Sequence, residues 1–339
     1  MSEQRVFVIA EIGVNHDGDI EKAKELIDRA AFAKADAVKF QSFSADRIAT
    51  KNAPLAHYQT RSTSDVSNQY QMLKRLELKL PAFKVLSGYA QSKNLEFIST
   101  PFDIKSARTL GTLGVRRIKL SSGDINNLPL LREISHYQLP VILSTGMSFE
   151  HEVAAAIQVL VGEGITGDQI TIMQCNTEYP TPHEDVNLNA MISMRDRFLV
   201  DVGYSDHTIG IEAALAATSL GAKVIEKHLT LDRKSPGPDH TASTEPEEFK
   251  TMVAGIRLVE TMMGNAEKRP TNSEAGNIEI ARKSIVASRP IKAGERFDAT
   301  KLTCKRPGSG ISPMSWDSVV GLVAMRDFAE DEPIEVEGV

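Results

Sequence analysis

The chain has 339 residues, 41% hydrophobic and 25% charged, with a formal net charge of −6. That is the composition of a soluble globular protein with room for one large and one small domain, and its acidic balance gives no reason to expect nucleic acid or an anionic membrane as partner. The only two cysteines, Cys175 and Cys304, lie far apart. They exclude a disulfide framework and a paired-cysteine metal site, and they point to a reducing compartment. No apolar run approaches the ~18–20 residues of a membrane span. The N-terminal MSEQRVFVIAEIG has one basic residue and a very short apolar run, which is not a signal peptide. A cytoplasmic protein is expected.

Short β-branched runs recur in chain order: RVFVIA (5–10), DAVKFQ (36–41), LEFIS (95–99), RRIKL (116–120), PVILS (140–144), QITIMQ (169–174), FLVDVGY (198–204) and AKVIEKHL (222–229). Segments of helical period lie between most of them. In DIEKAKELIDRAAFAK, Ile20, Ala23, Leu26, Ile27 and Ala30 share one face and Asp19 is the expected N-cap. EHEVAAAIQVLVGEG and IGIEAALAATSLGA repeat the pattern, and Gly ends both. Eight strands alternating with helices in about 260 residues predict an α/β fold, a (β/α)8 TIM barrel. A doubly wound open sheet is the runner-up, but EIGVNHDGD stands where its GxGxxG should be. The barrel is expected over 1–266. A polar, turn-rich linker follows over 267–281, then a small β-rich domain over 282–339 built from runs such as SIVAS, ERFDA and LTCKRP. At that size the small domain is near the limit for folding alone, and docking onto something is expected.

A barrel of this kind carries its chemistry at the C-terminal strand ends. Those ends supply Glu11, then Asn15 and His16; Lys39 and Gln41; Ser99, Thr100 and Phe102; Lys119, Ser121, Ser122 and Asp124; Ser144 and Thr145; Asn176, Thr177 and Tyr179; Ser205, Asp206 and His207; Glu226 and His228. Two lysines among hydroxyls suit a phosphate or a carboxylate. Two histidines on adjacent strands can share one metal, with Glu and Asp completing its shell or moving protons; such a set suits Mn2+, Co2+, Fe2+ or Zn2+. Each residue also has a plainer reading. A strand-end histidine can be a packing residue, a lysine in an apolar run can be an ion pair at the barrel bottom, Ser-Thr-Gly can be turn chemistry, and Asp239 and His240 can be loop surface. Cys175 reads as a small buried residue rather than a nucleophile. The balance tips because polar residues stand at the same end of all eight strands, where each unsatisfied buried group would cost about 1–3 kcal/mol.

The motifs AEIGVNHDGD, AVKFQSF, STPFD, SSGDINNLPLL, ILSTGM, EYPTP, VGYSDHTIGIE, VIEKHLTLDR and PGPDHTAS resemble those of the sialic (nonulosonic) acid synthase family, and SIVASRPIKAGERF with KRPGSGISPMSW resembles the antifreeze-like (SAF) domain that ends those proteins. The resemblance runs in order over nearly the whole chain. It implies a transferase that condenses phosphoenolpyruvate with an N-acylated mannosamine-type sugar and releases phosphate. It implies a divalent metal on His207 and His228, Mn2+ with Mg2+ or Co2+ as alternatives, that polarises the open-chain aldehyde as a Lewis acid and positions a water. By the same resemblance Lys39, Thr100, Lys119, Ser122, Ser144 and Ser205 grip phosphoenolpyruvate. Glu11 is the acid/base beside the aldehyde, and Asp239 acts with Glu11 and the two histidines in catalysis. Asp124, Thr177, Tyr179 and Glu226 surround the sugar. Arg306 reaches the active site of the partner subunit, which implies a domain-swapped homodimer. KFQSF, EKHLTLDR and PGPDHTAS, with Asp124 where the bacterial N-acetylneuraminate branch shows Glu, are similar to the legionaminic acid branch. The sugar is then 2,4-diacetamido-2,4,6-trideoxymannose and the product N,N'-diacetyllegionaminate. The alternative is an N-acetylneuraminate synthase using N-acetylmannosamine. A metal-dependent barrel aldolase or hydrolase and a non-catalytic sugar- or ice-binding protein are the competing classes.

Overall fold

The structure, a computed structural model, describes residues 5–62 and 66–337. Its contacts divide the chain after Gly264 into two compact units. The N-terminal unit holds eight strands: β1 (Phe7–Gly13), β2 (Ala37–Ser42), β3 (Glu96–Pro101), β4 (Ile118–Leu120), β5 (Val141–Ser144), β6 (Ile170–Cys175), β7 (Asp201–Asp206) and β8 (Val224–His228). They pair in parallel in the order β3-β2-β1-β8-β7-β6-β5-β4, and β3 lies against β4 to close the ring. This is the expected TIM-type barrel.

Its helices are α1 (Ile20–Phe32), α2 (Ala45–Ile48), α3 (His57–Ser62), α4 (Gln69–Leu76), α5 (Leu80–Ser92), α6 (Ile104–Leu113), α7 (Leu128–Ser135), α8 (Glu150–Gly162), α9 (Leu188–Phe198), α10 (Glu212–Ser219) and α11 (Pro246–Met263). Asp19 caps α1 by accepting from the Glu21 and Lys22 amides, the satisfied N-terminus that its sequence predicts. Ala23, Leu26, Ile27 and Ala30 are buried, while Ile20, at the open end of the helix, is not. The seventh strand starts later than its apolar run suggests. Phe198 closes α9, and Leu199 turns the chain at φ +53° with 85% of its surface exposed.

The strand period of two sorts the side chains into two shells. One set points outward into the main core with the helices, including Val8, Ala10, Val38, Phe40, Val202, Tyr204 and Ile225. The other set fills the barrel. Its lower layer is apolar: Ile9, Ala37, Ile98, Ile142, Met173 and Val224. Gly203 completes this layer because a Cβ there would sit 2.4 Å from the Met173 sulfur and 2.5 Å from the Val224 carbonyl. Two residues further along the strands the inward positions turn polar, and that change builds the site.

Between β2 and α5 the chain inserts α2, α3 and α4. Val14, Phe43, Met72 and Leu76 form a small core beneath them.

In the C-terminal unit, helix α12 (Asn277–Ala281) occupies part of the stretch expected as linker. Strand β9 (Ser284–Ala287) pairs antiparallel with β10 (Leu302–Lys305). The run ERFDA yields only an isolated bridge, Arg296 to Val323. The unit has its own core of Ile285, Ala287, Ile291, Phe297, Leu302, Val319, Ala324, Phe328 and Ile334. Among the described residues no helix is long and apolar enough to cross a membrane.

Candidate active site

A cavity of about 780 Å3 opens at the C-terminal strand ends. Every barrel residue to which the resemblance gives a role lines it: Glu11, Lys39, Thr100, Lys119, Ser122, Asp124, Ser144, Thr177, Tyr179, Ser205, His207, Glu226, His228 and Asp239; of the other strand-end candidates, Asn15, His16, Ser99, Thr145, Asn176 and Asp206 do not. Arg306 belongs to the C-terminal unit. It is exposed there just after β10, and its Nε donates to the Ala281 carbonyl at 2.9 Å.

At the base of the cavity four buried charges meet. Lys39 Nζ lies 2.8 Å from Glu11 Oε2 and 3.6 Å from Glu226 Oε1, and it donates to Thr100 Oγ1 at 3.2 Å. The contact between Lys39 Nζ and Glu11 Oε2 is a buried ion pair. Lys119 Nζ donates to Ser144 Oγ at 2.5 Å and lies 3.7 Å from Glu226 Oε1. Ser205 Oγ donates to the same Glu226 oxygen at 3.1 Å, and Gln41 Nε2 donates to Glu11 Oε1 at 3.1 Å. Burial works against the Lys39 charge, but Glu11 and Glu226 outweigh it and raise its pKa. Burial lowers the pKa of Lys119 despite Glu226. Burial would raise Glu226, yet Lys119 and Lys39 hold it below the usual carboxylate range. Burial raises Glu11, with Glu226 adding and Lys39 opposing. The result is one carboxylate kept ionised between two lysines and a second with enhanced proton affinity, a pairing suited to acid/base work beside an anion.

Above this base stand the two histidines. His207 Nδ1 donates to the Asn176 carbonyl, which leaves Nε2 as the lone-pair nitrogen, 3.4 Å from Ser205 Oγ. His228 Nδ1 is buried without a hydrogen-bond partner, and Asp239 Oδ2 is 3.7 Å away. Burial lowers the pKa of His207 to about 4 and that of His228 well below its ordinary value, so both rings are neutral. Burial, then Glu11, pushes Asp239 up to about 7. Neutral imidazoles with an oriented tautomer and an unmatched nitrogen fit a divalent metal. Among the described residues no group of three or more His, Cys, Asp and Glu stands ready to hold a metal; the two histidine rings lie with centroids 5.3 Å apart. Tyr179 stacks on His207 with centroids 4.2 Å apart and meets His228 edge-on at 5.6 Å.

At the rim Asp124 is held by Ser121 Oγ, 2.6 Å from Oδ2, and by Asn127 Nδ2, 2.9 Å from Oδ1. Gly146 lets the loop after β5 press close, since a Cβ would lie 2.7 Å from Thr177 Cγ2 and 2.9 Å from Ser122 Oγ. Asp239 and His240 are buried, not loop surface. Cys175 is buried as expected, but it also lines the cavity, with Sγ 3.3 Å from Ser122 Oγ.

A NeuB family model matches residues 26–268. The chain belongs to the NeuB family. A SAF domain model matches residues 282–336 of this NeuB-family chain. It is 47% identical to N,N'-diacetyllegionaminic acid synthase of Campylobacter jejuni, over 98% of this chain and 99% of the relative. It is 43% identical to the protein of the same name from Legionella pneumophila, over 94% and 90%. Its structure resembles the N-acetylneuraminic acid synthetase of Leptospira borgpetersenii solved with citrate, at TM-score 0.72 and 33% identity, over 82% of this chain and 91% of that one.

Sequence reasoning missed one wall of the cavity. It comes from the insert α2–α4 and includes Arg47, Tyr58, Gln59, Met72 and Leu73. Tyr58 stacks on Tyr179 with centroids 4.9 Å apart and so extends the ring column that starts at His207. The signal was present: Asn68 accepts from the Gln71 amide to start α4, and Met72 and Leu76 sit four apart on its buried face.

Proposed function

We propose that this NeuB-family enzyme condenses phosphoenolpyruvate with 2,4-diacetamido-2,4,6-trideoxymannose, forms N,N'-diacetyllegionaminate and releases phosphate. The observation that carries this is the base of the cavity: two buried lysines ringed by hydroxyls, beside a carboxylate of raised pKa and beneath two neutral histidines. Phosphoenolpyruvate brings about three negative charges, and charge-assisted donors in a water-poor site are its fitting receptor. Lys39, Lys119, Thr100, Ser122, Ser144 and Ser205 supply them. The choice of sugar follows the names of the Campylobacter and Legionella relatives.

Carbon 3 of phosphoenolpyruvate bonds to the aldehyde carbon of the open-chain sugar. Glu11, beside that carbon, supplies the proton that turns the aldehyde oxygen into a hydroxyl. Water then adds at the cationic carbon 2, and Asp239, with a pKa of about 7, takes its proton. The tetrahedral carbon expels phosphate by C–O cleavage. His207 and His228 would hold a divalent metal, Mn2+ by resemblance, which when bound would supply Lewis-acid polarisation at the sugar oxygen. Asp124, Thr177, Tyr179 and Glu226 orient the sugar. The exposed guanidinium of Arg306 serves the partner's site in a domain-swapped homodimer. The enzyme works in the cytoplasm, where its two cysteines stay reduced.

The Leptospira structure favours a second reading, an N-acetylneuraminate synthase. One assay separates them: phosphate release from phosphoenolpyruvate with Mn2+, run with each sugar and with EDTA controls. EDTA-sensitive release with the diacetamido sugar is expected. Release with N-acetylmannosamine alone selects the second reading, and release with neither refutes both.

A further inference from the structure

Behind the two histidines lies a charged pair that the reaction leaves without a task. Asp206 stands between Ser205 and His207, and Lys227 between Glu226 and His228. The strand period turns both away from the cavity, into the shell that holds Tyr204, Ile225 and Leu229. They are register partners on β7 and β8, and both side chains are 0% exposed. Lys227 Nζ lies 2.7 Å from Asp206 Oδ2 and donates to the Thr208 carbonyl at 2.8 Å. Asp206 Oδ1 accepts from the Thr208 amide at 2.9 Å and from its hydroxyl at 2.8 Å.

As a source of stability this is a poor choice, because well-packed apolar side chains usually replace a buried ion pair without loss. What the pair has is direction. From β8, one residue before His228, Lys227 grips the chain on both sides of His207: Asp206 before it and Thr208 after it. Other bonds tie down the rest of His207, the ring through Asn176 and the carbonyl through the Thr181 amide at 2.9 Å. On the outer face of the barrel Lys227 ties together the two strands that lead to the two imidazoles, as the Ser205–Glu226 bond does on the cavity side.

We propose that Lys227, acting through Asp206 and Thr208, is a positioning residue that sets the spacing of the His207 and His228 imidazoles for one divalent cation. The proposal rests on the metal role of those histidines. The test uses the full chain with Asp206→Asn and Lys227→Met together. Asn keeps the acceptor for Thr208, and Met keeps the stem volume of Lys, while both charges go. Mn2+ is titrated into metal-free protein without substrates, alongside a thermal melt and steady-state kinetics. The double variant is expected to melt cooperatively, to bind Mn2+ about 10–100-fold more weakly and to lose kcat by a similar factor. The KM for phosphoenolpyruvate is expected to move by less than about threefold, because both lysines of the cradle remain. A folded double variant with wild-type Mn2+ affinity overturns the proposal. Should the double variant not fold, Thr208→Val removes one bond of the cluster and is expected to weaken Mn2+ about 2–10-fold; unchanged affinity there overturns it equally. Wild-type protein that binds Mn2+ but releases no phosphate with either sugar sinks the reaction and leaves the positioning role standing. Wild-type protein that binds no Mn2+ removes both.

Discussion

Replacing Lys39 with Met strips the counter-charge from two buried carboxylates at once. At an effective permittivity of about 20, Coulomb's law gives roughly 6 kcal/mol for a partner at 2.8 Å and roughly 5 kcal/mol for one at 3.6 Å, the distances to Glu11 and Glu226. The loss is smaller than that sum. Glu11 already has a raised pKa and takes up a proton, and Lys119 still faces Glu226. About 3–5 kcal/mol, the usual cost of breaking a buried pair, is the expected destabilisation at pH 8. Function reads differently. Phosphoenolpyruvate loses one charge-assisted contact, worth about 1.5–3 kcal/mol, and its KM rises by about 10–150-fold. Saturating phosphoenolpyruvate also raises the melting temperature of the variant less than that of the wild type. The assay is phosphate release against phosphoenolpyruvate concentration, with sugar and Mn2+ in excess. A folded variant whose KM stays within about twofold of wild type would refute the assignment of Lys39 to the anion cradle.

Burial pushes His16 down to about 4 from an ordinary 6.5. A lowered histidine pKa means the fold resists the proton, so stability is whole above pH 6.5 and falls as pH drops toward 4, by up to about 3 kcal/mol from this group. His16→Gln should therefore flatten the pH dependence of urea stability across that window, although His207 and His228 still contribute; an unchanged slope contradicts it. Tyr58→Ala removes a ring stacked on Tyr179, a contact worth about 0.5–1.5 kcal/mol. The sugar KM should rise about 2–10-fold in initial-rate assays while the phosphoenolpyruvate KM holds, and equal shifts in both would argue against a sugar-side wall. Gly146→Ala forces a methyl against Thr177 and Ser122. Overpacking of about 1–3 kcal/mol should then appear mainly as lost kcat/KM for phosphoenolpyruvate, and wild-type kinetics would show that the loop yields freely.

The barrel was legible because its strands are short apolar runs of period two that change character at one end. Ile9 to Glu11, Ala37 to Lys39 and Val224 to Glu226 each step from apolar floor to charged base on the same inward face. Local pattern therefore pointed to this cavity. Features decided by neighbours in space were harder to read. Phe198 and Leu199 look like strand, but they finish a helix and turn away, because the chain must cross from α9 to the start of β7. The α2–α4 insert is mostly polar on its exposed side, and its core is shared with Val14 and Phe43 from other segments. The Asp206–Lys227 pair looks like any strand-end charge until the register sets the two side by side.

The layering of the barrel also bears on the order of events. The apolar floor of Ile9, Ala37, Ile98, Ile142, Met173 and Val224 closes the barrel below the charged base, so molecules come and go at the top. The lysines lie deepest, next to that floor, and the histidines, Tyr179 and Asp239 lie nearer the opening. A sugar seated among the upper groups covers the anion beneath it. On the proposed assignment phosphoenolpyruvate is expected to bind first, and phosphate, freed at the bottom, to leave after the nine-carbon product. Excess sugar would then inhibit by occupying the empty enzyme, a traffic pattern imposed by a vessel with a single mouth.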